Sequence, residues 1–357
     1  MDLRPASAGS GHQSLDFVMP EFGTGLAVGI ALVLAMGLVF LLMPSLIRKM
    51  KAGGMVGRDV NKAGKPEVAE LGGIAALFAF SVSLSLLVGL MKLLGSVPEP
   101  PFLAAISVFF MASMIGLIDD ISNLRQRFKA LVVAFSALPL MLVHLGPEVI
   151  DLPFGYRLNF AGAAYLWYWL ILVPIGVTGA ANAMNMSAGY NGLESGQIAI
   201  VSMSLLAVGY LQGASEFALL IFAALAGCGV GMLYFNRFPA RVFIGDIGTL
   251  GLGAALGAGA VLGHVEFYAL VAIGPAFYEA GATFYYGVRG TNAERREACH
   301  NPIIHPDGTL RPREGAARYT LANLILSKRP MTEKTLVRVL LGLYISCGAV
   351  AVLLSGV

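Results

Sequence analysis

Two aspartates stand side by side in Gly116-Leu-Ile-Asp119-Asp120, at the end of an apolar run. Adjacent carboxylates at a membrane boundary are costly unless water or a cation meets them. Hard divalent ions such as Mg²⁺ prefer such oxygen ligands. Arg125, Arg127 and Lys129 follow at once, and Lys129 is placed to reach a phosphate as a point charge. A solvated helix end is the plainer reading of the same acids. A second group is Asn182-Ala-Met-Asn185-Met-Ser-Ala-Gly189-Tyr-Asn191-Gly192-Leu-Glu194. Asn182 and Asn185 are three apart and share a helix face, and Gly189 and Gly192 allow a tight loop that presents Asn191. An amide binds a cation through its oxygen, or a nucleobase edge through both ends. Capping and turn chemistry would explain one or two of these asparagines, but not three. Asn185-Met-Ser187 also fits a glycosylation sequon, which its predicted cytoplasmic side leaves unused. The third group, Arg241-Val-Phe243-Ile-Gly245-Asp246-Ile-Gly248, encloses an acid between glycines at a helix start, where anions are favoured. Its alternative is an N-cap carboxylate. Asp59-Val-Asn61-Lys62, Glu70-Leu-Gly72-Gly73, and the set Arg295, Arg296, His300 and His305 complete the polar inventory. The two histidines lack a cysteine partner, which argues against zinc and for surface or phosphate-binding roles.

The elements that must position these groups are apolar helices. Of 357 residues, 57% are hydrophobic and 13% charged, about half the charge of a soluble domain. Ten runs are long enough to span, near 22–44, 71–94, 102–118, 130–146, 163–181, 197–212, 216–234, 247–263, 266–287 and 335–355. Backbone in lipid must satisfy itself, so the runs are helices, and the fold class is an all-α polytopic membrane protein with about ten transmembrane helices. The sixth and seventh runs are close enough to be one broken span. With ten, 21 of the 24 Lys and Arg residues fall on one side, which the positive-inside rule makes cytoplasmic. Nine spans would blur that bias. Both termini then lie outside, and the polar motifs form an active site facing the cytoplasm.

Residues 1–21 form a polar N-terminal tail without a signal-peptide pattern, and 288–334 a long cytoplasmic loop. The whole of 1–357 reads as a single integral membrane catalytic domain of the plasma membrane, or of the ER membrane in a eukaryote. The odd, scattered cysteines Cys228, Cys299 and Cys347 make no disulfide framework. There is no P-loop and no internal repeat. Gly253-x-x-x-Gly257 allows close helix packing, and exposed small-residue faces permit a homodimer. No nucleic-acid partner is expected.

At the three motifs the chain resembles the polyprenyl-phosphate N-acetylhexosamine-1-phosphate transferase superfamily. Asp119-Asp120, the asparagine-rich loop and Gly245-Asp246 occur in its order, and spacing and hydropathy agree from about Asp59 to His264. The stretch Ala188-Gly-Tyr-Asn191-Gly-Leu-Glu194-x-Gly-Gln197 is most similar to the dolichyl-phosphate GlcNAc-1-phosphotransferase branch; peptidoglycan-building branches usually show Asp-Gly-x-Asp-Gly there. Asp59-Val-Asn-Lys62 resembles the same branch, and the short chain and short loops suggest a prokaryotic, archaeal-type member. The resemblance implies UDP-GlcNAc as donor, a dolichyl or other polyprenyl phosphate as acceptor, and Mg²⁺ as cofactor, with Mn²⁺ as a substitute. Products would be UMP and a GlcNAc-diphospho-lipid, the first lipid-linked step of N-glycan assembly.

The same resemblance puts the metal on Asp246 and Asn185, Lys129 on the diphosphate and Asp119 beside the acceptor phosphate. Asp120, paired with Asp119 in the sequence, is the third catalytic candidate. The resemblance puts the uracil at Asn191 and Phe243. Lys62, Glu70, Asn182, Arg296 and His300 are the further candidate substrate-binding residues among the polar groups. The departure is the long loop: eukaryotic members carry Arg-His-Arg where this chain reads Arg295-Arg296-Glu-Ala-Cys-His300-Asn-Pro. Direct attack by the lipid phosphate and a covalent aspartyl-phosphate course both fit the residues. The alternatives are the same chemistry with another UDP-N-acetyl-amino-sugar or polyprenol, for a cell-envelope glycan, and more distantly a secondary transporter. A transporter would place charges mid-membrane, whereas these acids sit at span ends.

Overall fold

In the computed structural model the described residues are 23–94, 100–122, 124–143, 149–160, 162, 164–289, 302–313 and 319–356. The tail 1–21, Arg295, Arg296, Cys299 and His300 lie outside them. Among the described residues the fold is helical apart from three two-stranded antiparallel hairpins.

Eight described helical segments are long and apolar enough to cross a membrane. They are α1 (Thr24–Ala52), α2 (Gly73–Leu94), α3 (Pro100–Ser122), the segment Ala164–Met186, α8 (Leu193–Gln212), α9 (Glu216–Asn236), α10 (Gly245–Gly263) and α14 (Glu333–Ser355). The segment Ala164–Met186 joins α6 (Ala164–Trp167), a π turn at Tyr168–Leu172 and α7 (Val173–Met186). These eight coincide with the first, second, third, fifth, sixth, seventh, eighth and tenth apolar runs. The sixth and seventh runs are separate helices. α8 ends at Gly213 in the left-handed region, φ 65°, and the chain reverses before Glu216.

The fourth and ninth runs are not single uninterrupted helices. The fourth is α4 (Gln126–Ala134), a 3₁₀ turn at Phe135–Ala137 and α5 (Leu138–Met141), which starts around Pro139. The ninth is α11 (Glu266–Ala272) and α12 (Gly274–Arg289), parted at Ile273 just before Pro275. A proline has no N–H to give and crowds the preceding turn, so each run breaks where its proline falls.

Short hairpins sit at the bundle ends. The β1–β2 hairpin (Val56–Arg58, Glu67–Ala69) links α1 to α2, with Val56 opposite Ala69. It is tied to the strand entering α10: Phe243 N donates to Ala69 O at 2.8 Å, and Gly72 N to Phe243 O at 2.9 Å. The β3–β4 hairpin (Val149–Asp151, Arg157–Asn159) packs on α11. There Tyr168 donates to Glu266 Oε1 at 2.6 Å. The β5–β6 hairpin (Ile303–Ile304, Leu310–Arg311) precedes α13 (Leu321–Lys328) and bridges to Met331.

α10 is the buried axis of the bundle. Every residue from Ile247 to Gly263 is buried, against α3, α7, α9 and α2. Glycines make that approach possible. A Cβ on Gly253 would lie 2.7 Å from Ala181 Cα, and one on Gly257 3.0 Å from Val177 Cα, so the spaced glycine pair is a helix-packing seam. A Cβ on Gly116 of α3 would lie 2.3 Å from the Asp246 carbonyl. Gly116→Val is therefore expected to lower stability by about 1–3 kcal/mol through overpacking. Gly176→Ala, where nothing lies within 4 Å, is expected to be neutral or better. Thermal melting of the detergent-purified variants checks both; equal melts would remove the packing argument.

Candidate active site

Four helix termini meet at one end of this bundle. Asp119 stands in the last turn of α3, Lys129 in the first turns of α4, Asn185 at the end of α7 and Asp246 at the start of α10. Lys129 Nζ donates to Asp119 Oδ2 at 2.8 Å and to Asp246 Oδ2 at 2.6 Å, with Asn185 Oδ1 at 3.4 Å. Asn185 is oriented by its own donor, which reaches Asp246 Oδ1 and Thr249 Oγ1, each at 2.8 Å. Lys129 is 2% exposed. A buried ammonium is tolerated only when paired, and here two carboxylates and an amide oxygen surround it. Asp119 Oδ1 also accepts from Leu124 N at 2.6 Å, which fixes the turn between α3 and α4.

Asp120 faces a different task. Its two oxygens accept from Asp246 N at 2.9 Å and Ile247 N at 3.0 Å. These are orphan donors at the start of α10, so one carboxylate closes that helix end while its neighbour enters the lysine cluster. Gly245 allows the approach, with φ +75° and a notional Cβ 2.8 Å from Asp120 Oδ2.

A second polar network lies at the same end. Lys62 pairs with Asp59 at 2.9 Å and with Glu333 at the start of α14, and lies over the Phe238 ring 4.5 Å from its centre. Asn191 donates its amide to Asp59 Oδ2 at 2.9 Å and its backbone N–H to Glu333 Oε1 at 2.8 Å. Asn61 donates to Gly189 O at 2.9 Å. Gly189 and Gly192 take φ +124° and +90°, the left-handed conformations a tight loop needs. The loop following Asn185 is thereby bolted to the α1–α2 connection and to α14.

The structure thus brings Asp119, Lys129, Asn185 and Asp246 together, and joins Lys62 to Asn191. Asn191 is 5% exposed, with its side-chain NH₂ and backbone N–H both engaged by protein, so it holds the loop from within. Asn182 turns its amide back to Thr178 O at 2.9 Å, one turn earlier on its own helix. Glu70 is half-buried against Gly57, where an added Cβ would meet its carboxylate. Phe243 is half-buried and links two loops through its backbone. Arg296 and His300 are outside the described residues. Glu333 and Thr249 were not among the expected site residues: a lone acid opening an apolar run reads as ordinary helix-start charge, and a threonine inside one carries no signal.

Asp119 Oδ2, Asp246 Oδ2 and Asn185 Oδ1 are hard donors already gathered around one cation. Among the described residues no sulfur or imidazole joins them in a metal cluster, and the set suits magnesium or manganese rather than zinc. Among the described residues, no three His, Cys, Asp or Glu side chains form a metal cluster by themselves. An ion here would therefore share its shell with ligand oxygens.

Residues 102–264, which contain all four members of the lysine cluster, match the profile of glycosyl transferase family 4. A Saccharolobus solfataricus protein is 33% identical over 222 residues, covering 61% of this chain and 66% of that relative. One from Sulfolobus acidocaldarius is 32% identical over 246 residues, 67% of this chain and 72% of the relative. Both carry the provisional name UDP-N-acetylglucosamine–dolichyl-phosphate N-acetylglucosaminephosphotransferase. A Gemmatimonas aurantiaca protein named phospho-N-acetylmuramoyl-pentapeptide-transferase is 30% identical over 284 residues, 70% of this chain and 74% of that protein. On these matches and on this arrangement of helix ends, the chain belongs to glycosyl transferase family 4, as a multi-pass membrane protein.

Proposed function

We propose that this protein transfers GlcNAc-1-phosphate from UDP-GlcNAc to dolichyl phosphate or a related polyprenyl phosphate, on the cytoplasmic face of the plasma membrane. The observation that carries the proposal is the convergence of Asp119, Lys129, Asn185 and Asp246 at one bundle end. A reaction between two phosphate anions needs concentrated positive charge, desolvated in advance. The archaeal relatives' names support the donor and acceptor, and the lysine and arginine bias supports the side.

In this reading Lys129 exchanges its carboxylate partners for donor phosphate oxygens, as a charge-assisted contact in a dry site. Asp246 and Asn185 would hold magnesium. Bound there, magnesium would neutralise the diphosphate and make UMP a better leaving group. The acceptor phosphate is already an anion and needs no strong base. One of its oxygens forms a bond to the β-phosphorus; the bond from that phosphorus to the bridging oxygen breaks, and its electron pair leaves with UMP. Asp119 positions the acceptor. Its Oδ1 stays fixed by Leu124 N at 2.6 Å when Lys129 turns to the donor, which keeps the carboxylate in place for that task. Asp120 acts one step back, by holding the start of α10.

The second reading keeps the chemistry and changes the donor to a UDP-muramoyl-pentapeptide, in view of the Gemmatimonas relative. Incubating purified protein with each UDP-sugar, dolichyl or undecaprenyl phosphate, and Mg²⁺ separates the two. The expected result is UMP released in step with a GlcNAc-diphospho-lipid, and abolished by EDTA. Product from the muramoyl donor alone would install the second reading, and turnover undiminished by EDTA would remove the metal from either.

A further inference from the structure

α1 and α9 run parallel, and their ends at the active-site side carry charge that no acid among the described residues answers. Arg48, Lys49 and Lys51 close α1, and Arg237 and Arg241 follow α9. All five are exposed, and among the described residues none has an ion-pair partner. The two arginines are held in place. The Arg237 guanidinium lies 5.0 Å from the centre of the Tyr234 ring. The Arg241 guanidinium lies 4.7 Å from the centres of both Tyr234 and Phe235 and donates to Tyr234 O at 3.1 Å. Phe40 of α1 packs on the same aromatic pair at 5.2 and 5.5 Å.

Directly beneath the charges the surface turns apolar: Phe40 is 37% exposed, Leu41 72% and Tyr234 42%. α1 has 29 residues, or roughly 43 Å at 1.5 Å per residue, against about 30 Å of hydrocarbon. With that excess at the charged end, as the basic last turn favours, its last turns would stand in the headgroup layer and Phe40 and Leu41 would face the acyl chains. An acidic soluble partner would have no use for that apolar floor. Arginines stacked on rings are weakly hydrated and pre-ordered, and present a planar fork that fits a phosphate ester.

We propose that this patch is a binding site for an anionic phospholipid of the bilayer, with its phosphate between Arg237 and Arg241 and its acyl chains along Phe40, Leu41 and Tyr234. The site is separate from the lysine cluster and does not depend on the proposed activity.

The test uses full-length protein in nanodiscs of phosphatidylcholine with graded phosphatidylglycerol, and native mass spectrometry to count retained lipid. Arg237→Gln/Arg241→Gln is expected to lower phosphatidylglycerol retention about tenfold or more, from roughly 1 kcal/mol per basic group near the surface. Added salt should weaken the wild type toward the same level. The control Lys328→Gln/Arg329→Gln, also exposed cations, should retain phosphatidylglycerol as the wild type does. If the double arginine variant fails to fold, Lys49→Gln/Lys51→Gln on the open helix end replaces it, with a smaller loss of the same sign. Equal retention in variant and wild type, or an equal loss in the control, would overturn the site. A loss confined to added dolichyl phosphate would also overturn it, by giving the patch to the acceptor.

Discussion

Lys129→Met is expected to lower UMP release by about 10²–10³-fold or more, the usual cost of removing one pre-placed charge donor from a dry catalytic centre. The substitution keeps most of the volume of a side chain that is 2% exposed. It deletes the ammonium that Asp119 and Asp246 share at 2.8 and 2.6 Å. Those two carboxylates would then face each other without a cation, so the variant should also lose stability, by about 3–5 kcal/mol if no ion replaces the lysine. Both effects follow from one contact, and a second substitution separates them. Asp119→Asn in the Lys129→Met background removes the repulsion and should restore much of the melting temperature. It should restore no turnover, because the charge that gathers the phosphates is still missing. Activity recovering along with stability would make Lys129 a structural lysine and would remove it from the mechanism.

The adjacent aspartates show where the residues alone run out. Asp119-Asp120 reads as a pair, but successive residues on a helix point about 100° apart. One side chain turns toward Lys129 and the other toward the backbone of α10. Only the position of α10, set by glycine contacts such as Gly116 on the Asp246 carbonyl, decides which is which. Asn182 and Asn185 divide in the same way: their shared face was legible, whereas the choice of Thr178 as partner for one and Asp246 for the other was not.

The helices themselves were legible for a simple reason. Length and apolarity are nearly the whole signal for a membrane span, and eight runs supply it over a full span, one of them through a π turn. The two that break do so at Pro139 and Pro275, residues visible in the sequence but tolerated in many membrane helices. Glu333 was hidden because its partners are distant in the chain. Asn191 lies 142 residues before it and Lys62 271 residues before it, and no local spacing carries such a pairing.

That hidden residue leads to the second large effect. Asp59 and Glu333 are 4% and 3% exposed, and among the described residues Lys62 is the one cation paired with them both. Lys62→Met leaves two buried carboxylates with no positive partner, where removing one member of a buried ion pair costs about 3–5 kcal/mol. Phe238 also loses the charge stacked on it. Glu333→Gln alone should cost less, because Lys62 and Asp59 remain paired and the amide oxygen can still accept the Asn191 N–H. Combined with Lys62→Met, Glu333→Gln should recover part of the loss, giving a non-additive cycle of the kind that contacting residues show. Chemical or thermal unfolding of the three purified variants measures it. The site itself supplies a further expectation. The network clamps the loop that follows Asn185, so Lys62→Met protein that does fold should show a raised KM for the UDP-sugar and little change in the KM for the lipid. A strictly additive cycle, or equal changes in both KM values, would mean that the network supports the bundle as a whole and not the donor side of the site.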